Sequence, residues 1–148
     1  MNRVRPAKPT DSNRIAELYA QLVDSPVINV MPERIAQLSD DPNTALFVCE
    51  HNGLVEGTAL VSLCADAMFG FQPFAVVENI VVNQAHRGTG LGAALLQHIE
   101  AFCLGKDCSK IMLLSAIRRE KAHRFFEREG FAGSSKRGFV KYRREFRT

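Results

Sequence analysis

Apolar and polar positions in this chain recur with two different periods, and the switches between them mark its elements. Ile15, Leu18, Tyr19 and Leu22 repeat at i, i+3, i+4 and i+7, the period of one buried helical face. The stretch before them, NRVRPAKPTD, predicts a short first strand interrupted by Pro6 and Pro9, with Asp11 or Ser12 placed to cap the helix. A second, shorter helix is predicted over PERIAQL, with Pro32 in its first turn. TALFVCEH and LVEGTALVSLC then read as two strands joined through Asn52-Gly53, a pair that accepts the positive φ angles of a tight hairpin. MFGFQPF is an aromatic loop, and AVVENIVV a further apolar strand.

A helix is predicted next, from about Gly90 to Leu104, with Leu91, Leu95, Ile99 and Phe102 on one side. KIMLLSA comes next as a strand apolar enough to be central. Strand, helix and strand from 76 to 116 make one crossover unit, which sets the two strands parallel. EKAHRFFEREG predicts a last helix that stops at Gly130, where a left-handed cap needs no side chain. FVKYRREF alternates and is expected to close the sheet. At 148 residues, without an internal repeat or a linker, the chain is read as a single domain over 1–148.

Hydrophobic residues make up 46% and charged residues 24%, the balance of a soluble globular protein. The formal charge of +3 is too small to announce a nucleic-acid binder, though anionic ligands would not be repelled. Cys49, Cys64, Cys103 and Cys108 form no CxxC pair and have no histidine at metal spacing. No secretory leader is visible, and no apolar run reaches the ~18 residues of a membrane helix. The expectation is a reduced, cytoplasmic protein with no metal, no membrane and no nucleic-acid partner; a homodimer is left open.

Gly88, Gly90 and Gly92 stand directly between a strand and a helix. Glycines there let the backbone approach a ligand without β-carbons in the way. A helix start offers unpaired N–H donors and the positive end of the helix dipole, so the ligand should be anionic. GTGLGA, residues 88–93, satisfies the dinucleotide pattern GxGxxA, but Asp107 precedes the next strand instead of ending it, and no second βαβ half remains. A phosphate-binding P-loop fails because no Gly-Lys-Ser/Thr follows.

RGTGLG, residues 87–92, resembles the Arg/Gln-x-x-Gly-x-Gly/Ala pyrophosphate loop of the GNAT superfamily of acetyl-CoA-dependent N-acetyltransferases. AHRFFEREGF, residues 122–131, is similar to the second half of that family's acetyl-CoA site, and VRPAKPTD followed by an amphipathic helix is a common family start. The resemblance spans nearly the whole chain. It implies an α+β fold with a central, mostly antiparallel mixed sheet of about six to seven strands and about four helices. In that fold strands 74–82 and 110–116 splay apart into a wedge for acetyl-CoA. The coenzyme contacts so implied are the backbone of Ile80, Val81 and Val82, the turn Arg87, Gly88, Thr89, Gly90, Leu91, Gly92 and Ala93, and Ser115, Arg119, Ala122, Phe125 and Phe126. Two positions depart from the pattern: Phe126 stands where the family has a tyrosine that protonates the departing thiolate, and Arg119 where it often has asparagine.

Acetyl transfer needs a neutral amine, and an alkylamine with a pKa near ~10 is mostly protonated at neutral pH, so a base is required. Glu78, in the otherwise apolar VVENIVV, is the candidate; by alternation it would share a face with Ile80 and Val82, and the competing reading is a charge facing solvent. Tyr142, on the expected closing strand, is the candidate acid, unless the thiolate leaves unaided. Tyr19 reads as packing, His123 as partly packed, and the basic run from Arg118 to Arg128 as a solvated helix face. Two functions stay open, an N-acetyltransferase acting on a small-molecule amine and an acyl-CoA-binding sensor without turnover.

Overall fold

Helices interrupt the sheet at the points where the hydrophobic period changes. The computed structural model describes residues 2–147. Its strands are β1 (Asn2–Pro6), β2 (Thr44–His51), β3 (Leu54–Cys64), β4 (Phe74–Val82) and β5 (Ile111–Leu113); its helices are α1 (Ser12–Leu22), α2 (Pro32–Asp40), α3 (Leu91–Gly105) and α4 (Glu120–Arg128). The strand order is β1-β2-β3-β4-β5. The first four strands pair antiparallel, and α3 carries the chain back so that β5 lies parallel to β4. The chain divides into two compact units, Met1–Leu113 and Leu114–Thr148.

In the first unit, alternation splits each strand between two layers. Leu46, Val48 and Val81 point to one face, where they enclose Ile15 and Leu18 of α1 and Ile35 of α2. Phe47 points to the other, its ring against His98 at 4.7 Å and Phe102 at 5.5 Å, both on α3. Leu91, Leu95, Leu96, Ile99 and Cys103 are the buried stripe of that helix. Asn52 and Gly53 take φ of 52° and 82°, the hairpin geometry their identities imply. All four cysteines are free thiols. Burial, with Cys108 adding to it, pushes the Cys103 thiol up to about 12.

Asp11 stands at the N-cap of α1, but its side chain does not cap the helix. Its carboxylate accepts from Arg5 Nη1 at 2.8 Å, Arg5 Nη2 at 3.1 Å and the Lys8 N–H at 2.7 Å. Arg5 Nε also donates to Glu50 at 2.7 Å. The guanidinium fork and the Lys8 N–H together occupy this carboxylate, and Arg5 ties β1 to β2 and to the start of α1.

In the second unit α4 ends in a Schellman closure. The Phe131 N–H donates to the Phe126 carbonyl at 3.0 Å and the Gly130 N–H to the Glu127 carbonyl at 3.1 Å, with Gly130 at φ 96° as expected of a C-terminal glycine. Phe126 is buried, with ring centroids 5.3 Å from Phe125 and 6.0 Å from Phe131.

Three expectations need correction. The sheet has five strands among the described residues, against six to seven expected. β5 ends at Leu113 instead of continuing to 116. Residues 139–146 form no strand and only a 3-10 turn over Arg143–Glu145, leaving Phe139, Val140, Tyr142 and Phe146 exposed. Alternation fixes which side chains share a face, but a strand also needs a neighbour to take its backbone hydrogen bonds, and no residue of this segment pairs with one.

Burial alone would raise the Asp11 pKa, but the hydrogen bonds from Arg5 and the Lys8 N–H outweigh it and hold the carboxyl below its usual range. The stabilisation is therefore present above the unfolded value near ~3.9 and is lost as pH falls through the lower folded value. Asp11→Asn should cost about 2 kcal/mol in urea unfolding at pH 7, and the gap to wild type should narrow as pH falls below the unfolded value near ~3.9 and through the lower folded one. A gap independent of pH would contradict this account.

Candidate active site

The end of β4 is where regular pairing fails on both sides. Toward β5, partners stop at Val77, so β4 runs on from Glu78 to Val82 without a partner from that strand. Toward β3, Glu78 lies opposite Leu60 and Val81 opposite Thr58, so Asn79 and Ile80 together face the one residue Ala59. This is a β-bulge, and Asn79 takes the positive φ of 55° that asparagine tolerates better than most side chains. The bulge corrects the expected alternation. Glu78 shares the face of Leu60, which packs with the α1 core. Val82 lies opposite Gly57 and beside Leu95 of α3, on the other face.

Backbone direction is set by the same shift. The Asn83 N–H donates to the Glu56 carbonyl of β3 at 2.8 Å. By alternation Val81 also points to β3, and Ile80 and Val82 turn their amides to the unpaired edge, where an extended ligand could add as a strand would. The Val82 carbonyl accepts from Arg87 Nε at 3.2 Å.

Glu78 is exposed. Beside it, Asn79 lines a cleft of about 210 Å³ with Tyr19, Leu22, Val23, Ile28, Asn29 and Val30. Tyr19 both packs against the core and meets the Asn79 side chain through its hydroxyl; burial outweighs that hydrogen bond and raises its pKa, so it remains a donor. Tyr19 therefore does more than pack.

Past β4 the chain makes a short 3-10 turn over Gln84–His86 and reaches Arg87, which is exposed. Gly88 and Gly90 take φ of 81° and 89°, and a β-carbon built on either meets no heavy atom within 4 Å. Gly90 is the N-cap of α3, whose first internal bond runs from the Ala94 N–H to the Gly90 carbonyl at 3.0 Å. The N–H groups of Leu91, Gly92 and Ala93 thus lack intrahelical acceptors, and Gly90 has no side chain to supply one. Thr89 spends its hydroxyl on the His86 carbonyl, inside the turn. The arrangement is an open cradle of donors at a positive helix end, and it suits a diphosphate.

The base of this turn is held by residues that sequence reasoning did not single out. Glu56, 4% exposed, is the extra residue of a second bulge, since Val55 pairs with Glu50 and Gly57 with Cys49. Its carboxylate accepts from Arg14 Nη2, from Asn83 Nδ2 at 3.1 Å, and faces His86 Nε2 at 2.6 Å. Gln21 of α1 accepts from the Gln84 N–H at 2.9 Å and donates to Asn83 Oδ1 at 3.2 Å. The available signal is a carboxylate in an apolar strand, which stands out in the sequence at Glu78 and applies equally to Glu56.

The remaining candidates belong to the second unit. Among the described residues, Ser115 Oγ is buried with no hydrogen-bond partner. Arg119 is the N-cap residue of α4; Ala122 and Phe125 are half-buried on that helix, and Phe126 is core. His123 Nε2 lies 2.8 Å from the Ala116 carbonyl. Tyr142 is half-exposed, with the Arg144 guanidinium 4.9 Å from its ring centre. No described cluster of His, Cys, Asp or Glu is placed to hold a metal ion, and no described helix is long and apolar enough to cross a membrane.

Comparison with known proteins bears on what this geometry is for. Residues 14–131 match the model of the acetyltransferase (GNAT) family. A glucosamine 6-phosphate N-acetyltransferase of Trypanosoma brucei brucei is 26% identical over 133 residues, covering 86% of this chain and 87% of that one. A solved structure of a putative acetyltransferase from Agrobacterium tumefaciens is 29% identical with a TM-score of 0.86, covering 95% and 99% of the two chains. The crystal structure of a Trypanosoma brucei acetyltransferase is 25% identical with a TM-score of 0.80, covering 96% and 100%. With the mixed sheet, the parallel β4–β5 pair and the glycine turn already in place, these matches establish that the chain belongs to the GNAT family of acetyltransferases and is an acyltransferase.

Proposed function

We propose that the protein transfers the acetyl group of acetyl-CoA to the primary amine of a small molecule by direct attack, with an amino-sugar phosphate as the first acceptor to test. The observation that carries this reading is the open turn from Gly88 to Ala93, with its free N–H donors, directly after the unpaired end of β4. The diphosphate of the coenzyme sits at the N–H groups of Leu91, Gly92 and Ala93, with Arg87 beside them, and the pantetheine arm adds to the backbone of Ile80 and Val82. The cleft at Tyr19 and Asn79 receives the acceptor; its volume of about 210 Å³ suits a small molecule, with Tyr19, Asn29 and Asn79 as its polar groups. The choice of acceptor draws on the trypanosomal relative named for glucosamine 6-phosphate. For Ser115, Arg119, Ala122, Phe125 and Phe126 the coenzyme role rests on the sequence resemblance, with the unpartnered Ser115 Oγ in its favour.

Glu78 is the base. Its exposed carboxylate lies next to Asn79 in the chain and takes the amine proton directly or through water. The coenzyme thiolate departs unaided. Phe126 cannot donate a proton, and a thiol with a pKa near ~8.5 leaves tolerably as thiolate. The half-exposed Tyr142, outside any strand, favours this over a tyrosine acid.

Gly90→Val should abolish acetyl-CoA binding in a calorimetric titration, because valine resists φ of 89° and its side chain would stand in the open cradle. Unchanged affinity in a folded variant would remove the coenzyme site from this turn. Glu78→Gln should lower turnover by about 10² to 10⁴ at neutral pH with coenzyme affinity nearly intact. Wild-type turnover across the pH range would clear Glu78 of the role. Tyr142→Phe should change turnover by less than about twofold; a loss of roughly 10² would make Tyr142 the acid.

A further inference from the structure

A buried carboxylate needs both opposite charge and hydrogen-bond donors. Glu56 has these already in Arg14, which donates to one carboxylate oxygen and, through Nε, to the neighbouring Val55 carbonyl at 2.8 Å. That pairing joins β3 to α1 and would satisfy the charge by itself. The second oxygen is turned the other way, to Asn83 Nδ2 at 3.1 Å and His86 Nε2 at 2.6 Å. Both belong to the segment that leads into the glycine turn.

The second contact lies immediately before the two glycines of the turn that hold a positive φ. Gly88 and Gly90 have the freest backbones available, and each holds a positive φ with nothing packed where a side chain would be. A cradle of N–H groups binds an anion tightly only if the donors converge before the ligand arrives; ordering them afterwards weakens binding. The turn therefore needs a fixed point just ahead of the glycines, and His86 is the side chain there that reaches the interior. Its carbonyl also receives the Thr89 hydroxyl, so a fixed His86 fixes the stretch containing Gly88.

We infer that the contact between buried Glu56 and His86 is a positioning device for the coenzyme site: it sets acetyl-CoA affinity by holding the glycine turn in its binding geometry, while touching neither the coenzyme nor the acceptor. This rests on the acetyl-CoA reading of the turn. The groups around the His86 ring fit a holding role. Glu56 faces it from β3, the His51 ring of β2 lies 5.1 Å away, Arg14 of α1 shares Glu56, and Arg87 is next in the chain.

The test compares two side chains that differ in reach. In His86→Gln the amide extends about as far as imidazole Nε2 and can still donate to Glu56; in His86→Asn it is one methylene short. Both keep a polar residue at a half-buried site and leave Glu56 with Arg14 and Asn83, so the fold is retained, which thermal unfolding checks. Acetyl-CoA is titrated calorimetrically into wild type and both variants. The inference expects the Kd to rise about tenfold or more in His86→Asn and to stay within about threefold of wild type in His86→Gln. Equal affinities in the two variants, whether both strong or both weak, would overturn it, because reach to Glu56 would then be irrelevant. Wild type failing to bind acetyl-CoA would instead remove the coenzyme reading itself, an outcome distinct from any difference between the variants.

Discussion

A carboxylate buried to 4% exposure cannot be left alone, and the way Glu56 is partnered organises the first unit. It lies on a bulge of β3, and its donors come from Arg14 of α1 and from Asn83 and His86 beyond β4. One ionised group thereby ties the sheet, the first helix and the approach to α3. Removing the carboxylate would leave Arg14 with only Glu17 and the Val55 carbonyl, and would take from Asn83 and His86 the group they share. Hydrophobic packing of Ile15, Leu18 and Val81 supplies most of the burial, but it does not fix where the glycines point.

The candidate site lies where sheet regularity ends. β4 loses its β5 partner after Val77 and gains a bulge at Asn79 within the next two residues. The first frees backbone amides at Ile80 and Val82. The second puts Glu78 on the α1 face and Asn79 at the cleft with Tyr19. Bulges cost pairing, and they are found beside functional sites because they re-aim side chains that alternation would send elsewhere.

Much of this was legible in the chain. The i, i+3, i+7 spacing of Ile15, Leu18 and Leu22 placed α1, Asn52-Gly53 placed the hairpin, and three alternate glycines between a strand and an apolar helix placed the turn that opens α3. The bulges were not, because an inserted residue leaves the local apolar pattern of VVENIVV intact while exchanging the faces beyond it. Glu56 escaped for a related reason. In LVEGTALV the glutamate carries the same signal as Glu78, but what makes its burial possible is Arg14 and His86, which are distant in sequence. FVKYRREF erred in the opposite direction, since its alternation satisfied a strand pattern while none of its residues pairs with a strand.

The central claim is that the turn and the cleft serve one reaction, acetyl transfer to a small amine. Its most direct test is release of the free coenzyme A thiol, followed with acetyl-CoA and a panel of small amines that includes glucosamine 6-phosphate, with N-acetyl product identified by mass. The account predicts thiol release that requires an amine and matches product mole for mole. Acetyl-CoA binding with no thiol release from any amine in the panel would contradict it and point to an acyl-CoA sensor.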